Sequence, residues 1–285
     1  MDRFIRTNGI QLHYLEHPGD GPSTVLLPGL TANAHAFDGL VQAGLSPRFH
    51  TLALDLRGRG LSDAPEYGYT MADHAADVLG LLDALGIEQV RLAGHSFGGL
   101  LTYYMAAQYP ARVTHLMVLD AAMTNATPAT RVAIQPSLDR LGRVLPSWEI
   151  YLDAIKRAPF LDGWWDPMIE SYYRADVRVN QDGSVQARSR PEVIAAAMDG
   201  VIAEDWPMQL AAIRQPTILF QAPGAYGPPG TPPILSADQA RATIERLADC
   251  HYVEVPGNHM TMLYGAGARR IVEGITAFLG DQSEI

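Results

Sequence analysis

Compact apolar runs punctuate the first 120 residues: TVLLP (24–28), HTLALDL (50–56), QVRLAG (89–94) and VTHLMVLD (113–120). Each has the length and β-prone content of a buried strand. They are separated by segments near 40–46, 71–85 and 97–109 whose apolar positions recur at helical spacing. In the middle one, Ala72, Ala75, Ala76, Leu79, Leu82 and Leu85 step by threes and fours until Gly86 stops the pattern. Ahead of them, RFIRT and IQLHYLE flank Asn8-Gly9, a strong hairpin dipeptide. Near-continuous apolar strands joined by helical crossovers predict a mostly parallel sheet covered on both faces.

After Asp120 the rhythm changes. From 123 to 208 Pro128, Pro136, Pro146, Pro159 and Pro167 break up short helical stretches, and all four tryptophans (Trp148, Trp164, Trp165 and Trp206) fall in this block with Tyr172 and Tyr173. The strand pattern resumes in PTILFQA (216–222) and HYVEV (251–255), with helices near 236–248 and 268–279. This predicts an α/β core over 1–122 and 209–285, interrupted by a helical cap over 123–208.

Composition narrows the functional classes. With 47% hydrophobic and 18% charged residues, the 285-residue chain has the make-up of a globular protein. Its 21 basic against 31 acidic residues, a net charge of −10, would repel phosphate backbones and anionic lipid, and no basic run offsets this locally. Neither nucleic acid nor membrane is expected as a partner. No apolar run approaches the ~18 residues of a membrane span, and the N-terminal residues lack a secretory pattern. A cytoplasmic location is expected. Cys250 is the sole cysteine and reads as structural.

The chemistry begins at Gly94-His95-Ser96-Phe97-Gly98, a G-x-S-x-G between an expected strand and an expected helix. That context holds the central serine in a strained turn with its hydroxyl exposed. A serine hydroxyl needs a base within hydrogen-bond reach, itself oriented by a third group. Of nine histidines, His259 follows the last strand-like run in VPGNHMTML, a strand-end loop that would open onto an active-site crevice. His13, His17, His50, His115 and His251 lie at strands or their edges, and His74 on a helix face. His35 and His95 neighbour chemical loops, where either could line a pocket. No ligand cluster or phosphate-cradling loop is evident, so neither metal nor organic cofactor is expected.

Together Pro28-Gly29, LDLRGRGLSD (54–63), GHSFGG (94–99) and PGNHMTML (256–263) resemble the α/β-hydrolase superfamily over most of 3–120 and 209–280. The resemblance implies a serine hydrolase with a cap, and an oxyanion hole made by the backbone N–H groups of Leu30 and Phe97. In this chain Pro28 stands where relatives often carry His. Gly58 and Gly60 match a structural turn of the family, and Arg57 and Arg59 are assigned no chemistry.

The acid is the irregular part. Many relatives place it after the strand corresponding to TILFQA, but here that stretch is Ala222-Pro223-Gly224-Ala225. A second placement, resembling polyketide-type thioesterases, some dehalogenases and some lactonases, puts it at the end of the strand after the nucleophile helix. Asp120 stands there, 24 residues beyond Ser96. Asp238, which looks like a helix-start residue, along with Asp205 and Glu204, are the alternatives, as is the absence of an acid. Thioesterase relatives also share the pattern around His259 in GNHMTML.

The expected reaction is hydrolysis of a carboxylic ester, lactone or thioester through an acyl-enzyme. Aromatic residues in the cap would favour a small apolar substrate, with anionic ones disfavoured by the net charge. Carbon–carbon bond hydrolysis, cofactor-free haloperoxidase-like chemistry on the same triad, and a slow-turnover receptor are the alternatives.

Overall fold

Asn8 and Gly9, with positive φ of 47° and 78°, turn β1 (Asp2–Thr7) back on β2 (Ile10–His17) in the antiparallel hairpin that the dipeptide predicts. In the computed structural model, which describes residues 1–122, 135–228 and 230–280, the apolar runs become β3 (Thr24–Leu27), β4 (Thr51–Asp55), β5 (Val90–His95) and β6 (Val113–Leu119). Three short strands follow, β7 (Val144–Leu145), β8 (Val177–Val179) and β9 (Val185–Ala187), then β10 (Thr217–Gln221) and β11 (Cys250–Glu254).

The main sheet runs in the order β1-β2-β4-β3-β5-β6-β10-β11. Its strands are parallel from β4 to β11, while β2 is antiparallel to both neighbours. In β3, Val25 and Leu27 enter one apolar layer and Leu26 the other, as strand alternation requires.

The longer helices among the described residues are α1 (Met71–Ala84), α2 (Phe97–Gln108), α3 (Trp148–Lys156), α4 (Pro167–Asp176), α5 (Pro191–Ile202), α6 (Trp206–Ala212), α7 (Ala237–Ile244) and α8 (Gly265–Gly280). Thr70 and Asp73 close a capping box on α1. Its buried face centres on Met71, Ala75, Val78 and Leu82, with His74 and Asp77, whereas Ala72 and Leu85 are exposed. The face is thus rotated from the stripe that spacing suggests, because two polar side chains find buried arginine partners there: Asp77 holds Arg57 at 2.6 Å and His74 meets Arg59 at 3.0 Å.

The stretch near 40–46 is helical as expected, Asp38–Leu40 running into a π-helical turn over Val41–Leu45, with a break at Gly44, where φ is 102°. One other expectation is revised. Within the block expected to be helical, β7, β9 and β8 form an antiparallel sheet, with Gly183 at φ 85° in the β8–β9 turn. Residues 123–134, where the expected insertion begins, lie outside the described residues. No helix among the described residues is long and apolar enough to cross a membrane.

Candidate active site

Ser96 sits between β5 and α2 with φ 55° and ψ −116°, a conformation that L-residues rarely adopt. Close packing enforces the turn. A Cβ at Gly94 would lie 2.1 Å from the Gly98 carbonyl oxygen, and one at Gly98 only 1.9 Å from that of Leu27. The Ser96 N–H is fixed by the Leu119 carbonyl at 3.0 Å, which ties the turn to the end of β6.

Asp120, the residue just after β6, is fully buried. Its N–H donates to Phe220 O at 2.8 Å, and its Oδ1 accepts the Ala222 N–H at 3.0 Å. The other oxygen faces His259: Oδ2 is 2.7 Å from Nδ1. On the far side of the ring, Nε2 lies 2.9 Å from Ser96 Oγ. Hydroxyl, imidazole and carboxylate therefore form one continuous hydrogen-bonded line.

The loop carrying His259 is held by its neighbours. Asn258 Oδ1 accepts the N–H groups of Met260 and Thr261, each at 3.1 Å, and its Nδ2 donates to Phe160 O at 2.7 Å. His95, which the motif leaves open to several uses, is part of this support. Its Nε2 donates to the His259 carbonyl at 2.7 Å, and the two rings are 4.6 Å apart. Burial, followed by the proximity of His259, holds the His95 pKa well below the ordinary imidazole value, so His95 is neutral.

The loop after β10 has no room for an acid at its glycine. Gly224 N–H donates to Gly257 O at 2.9 Å, and a Cβ at Gly224 would stand 2.4 Å from that oxygen. This loop instead presents the Ala222 N–H to Asp120. The remaining acids are occupied elsewhere. The Asp238 side chain is 90% exposed in the first turn of α7, Asp205 caps α6 through Met208 N, and Glu204 accepts from Gln209 at 3.0 Å.

Leu30 and Phe97 line the same cavity as Ser96 and His259, which has a volume of about 110 Å³. Phe97 is the first residue of α2, so its N–H has no intrahelical acceptor and points along the positive end of the helix dipole. From the central block come Tyr172, Tyr173, Met198, Val201 and Arg140. No tryptophan is among the described lining residues: Trp206 is buried with its indole N–H on Val201 O, and Trp164 and Trp165 are partly exposed. His35 pairs with Asp38 instead, at 2.8 Å.

Arg140 is a wall residue that no local motif announces. It forms a very short ion pair with Asp176, and its Nη2 donates to Thr31 O and Oγ1, both at 3.1 Å. Burial opposes its charge, but the Asp176 carboxylate more than offsets this and holds the guanidinium pKa well above its ordinary value.

A family model for the alpha/beta hydrolase fold matches residues 22–266. The chain belongs to the α/β-hydrolases. This α/β-hydrolase is 32% identical over 225 residues to an N-formylmaleamate deformylase of Pseudomonas putida, covering 76% of each chain. A 2-(acetamidomethylene)succinate hydrolase of Mesorhizobium japonicum is 41% identical over 102 residues, a stretch that spans 36% of each chain. A crystal structure of E-2-(acetamidomethylene)succinate hydrolase superposes over 98% of this chain and 99% of its own, with a TM-score of 0.79 at 25% identity.

Proposed function

We propose that this α/β-hydrolase cleaves a small acyl compound, in which the acyl carbon is joined to oxygen, sulfur or nitrogen, through an acyl-enzyme on Ser96. The carrying observation is the line from Ser96 Oγ to His259 to Asp120, with contacts of 2.9 and 2.7 Å. Ser96 attacks the carbonyl as its proton passes to His259 Nε2. Asp120 holds the Nδ1–H and stabilises the imidazolium. The oxygen that becomes negative is received by the N–H groups of Leu30 and Phe97. Collapse breaks the acyl bond, and the leaving group takes the proton from His259. Water then repeats the cycle, releasing the acid and restoring Ser96.

Two features guide the substrate class. A cavity of about 110 Å³ holds about four water-sized groups at the ~30 Å³ that each takes in the liquid, which favours a compact acyl compound over a long chain. Arg140 on its wall is already paired with Asp176, so it gives that wall a polar face rather than a free positive charge. The formylmaleamate and acetamidomethylenesuccinate named for the relatives are compact acids with an acylated nitrogen, and they carry the preference for an anionic substrate. The block over the cavity then serves as the cap that closes this pocket.

The test is direct. A fluorophosphonate probe should label the protein at Ser96, and short p-nitrophenyl esters should be hydrolysed by the wild type but not by Ser96→Ala. A panel of esters, lactones, thioesters and N-acyl compounds, each with and without a carboxylate, should favour its anionic N-acyl or enol-acyl members. Absence of both labelling and turnover would reverse the proposal in favour of a ligand-binding receptor, and turnover confined to a dienone would favour carbon–carbon hydrolysis.

A further inference from the structure

Arg59 is among the largest fully buried side chains of the protein, at 1% exposure. Arg57 and Arg140 are each paired with an aspartate. Arg59 has no carboxylate in reach among the described residues. Its partners are neutral: Nε donates to Leu30 O at 2.9 Å and Nη1 to Arg57 O at 2.6 Å. Nη1 also lies 3.0 Å from His74 Nε2, and Nη2 has no partner among the described residues. His74 Nδ1 lies 2.8 Å from Thr70 O, so it carries the proton and Nε2 is the acceptor. Burial, reinforced by Arg59, keeps that imidazole neutral.

The position of this cation is informative. It holds the main chain of Leu30, and its Cζ lies 5.2 Å from the centre of the Phe97 ring. The His74 ring meets the same phenyl edge-on at 5.0 Å. The two residues that Arg59 touches in this way are the two whose N–H groups form the proposed oxyanion hole. Burial pushes its pKa down to about 9, so the guanidinium is charged at neutral pH.

We propose that Arg59 is a positioning residue of the oxyanion hole, a buried cation without a counter-ion that fixes Leu30, packs on Phe97 and adds positive potential where the tetrahedral intermediate becomes negative. An unpaired interior charge is destabilising. Such charges concentrate at functional sites, where the same low dielectric that makes them costly lengthens their reach. A carboxylate beside Arg59 would relieve the burial cost and cancel that potential.

This proposal rests on Ser96 as nucleophile, and its test separates the two readings. Wild type and the Arg59→Met, Arg59→Gln and Arg59→Lys variants would be compared for kcat and KM on p-nitrophenyl acetate. Their affinity for phenylboronic acid, which adds to a serine hydroxyl as a tetrahedral anion, would be measured alongside. In the neutral variants kcat and boronate affinity should fall together by about thirtyfold to a few hundredfold, with KM within about threefold. Lysine keeps the charge but cannot both reach Leu30 O and cover Phe97, so Arg59→Lys should lose about three- to tenfold in the same two quantities. If the neutral variants do not fold, as circular dichroism would reveal, the lysine variant decides alone. Wild-type kcat and boronate affinity in any folded variant, or a rise in KM at constant kcat, would overturn the role of Arg59. A wild type that neither binds boronate nor reacts with fluorophosphonate would instead overturn the assignment of Ser96.

Discussion

Asp120 adopts a left-handed conformation, with φ of 53°, which costs a non-glycine residue on the order of 1 kcal/mol. What it gains is a carboxylate with both oxygens engaged, one on Ala222 N–H and one on His259 Nδ1. Replacing Asp120 by Asn keeps the shape but offers His259 a group that cannot stabilise the imidazolium. Its kcat should fall by about 10³- to 10⁴-fold with the urea midpoint little changed, as steady-state kinetics and equilibrium unfolding would show. Asp238→Asn, at an exposed helix start, should leave both within about twofold of wild type. Ser96 and His259 are legible in the sequence because turn chemistry and strand-end context mark them. His95 and Arg140 are less so, since a histidine inside the elbow motif and an isolated arginine carry no local signal of what they will touch.

At the scale of elements, the loop after β10 supports Asp120, at the end of β6, through the Ala222 N–H rather than presenting a carboxylate of its own. Its Gly224 is pressed against the Gly257 carbonyl and forms a bridge with Asn258, so this loop braces the segment carrying His259. Gly224→Ala should destabilise the protein by about 1–3 kcal/mol, read as a lower urea midpoint, and reduce kcat by displacing His259. The strands of the main sheet follow from their continuous apolar runs, and the first hairpin from Asn8-Gly9. The β8–β9 hairpin carries a comparable signal, Asp182-Gly183 between valine-containing runs, which the abundance of prolines and aromatics in that block outweighs. The rotated face of α1 has a different origin. Periodicity counts apolar residues, whereas His74 and Asp77 are buried because arginines from the 54–63 segment reach them.

For the whole molecule, buried neutral histidines set the response to acid. His74 and His95 have folded-state pKa values well below the ordinary 6.5, in each case chiefly through burial. Below that value the unfolded chain binds protons that the native state refuses, so stability falls as pH falls, by up to about 1.4 kcal/mol per pH unit for each group. His35, where burial is more than offset by Asp38 so that its pKa is raised, acts in the opposite direction: its contribution grows as pH falls through that raised pKa and is complete below about 6.5. His17 is also lowered, chiefly by burial, so three histidines act against one and the urea midpoint should decline from pH 7 to pH 5, as equilibrium unfolding at the two values would reveal.

The sequence alone determined the order of elements around the main sheet, the elbow around Ser96 and the loop placing His259, because hydrophobic period and turn chemistry are properties of neighbouring residues. Only the tertiary structure decided that Asp120 faces His259 across 139 positions, that Arg140 lines the cavity and that Arg59 contacts Leu30 and Phe97 with no counter-ion among the described residues. Those facts depend on distances between segments remote in the chain, and the packing of the sheet and its helices sets such distances.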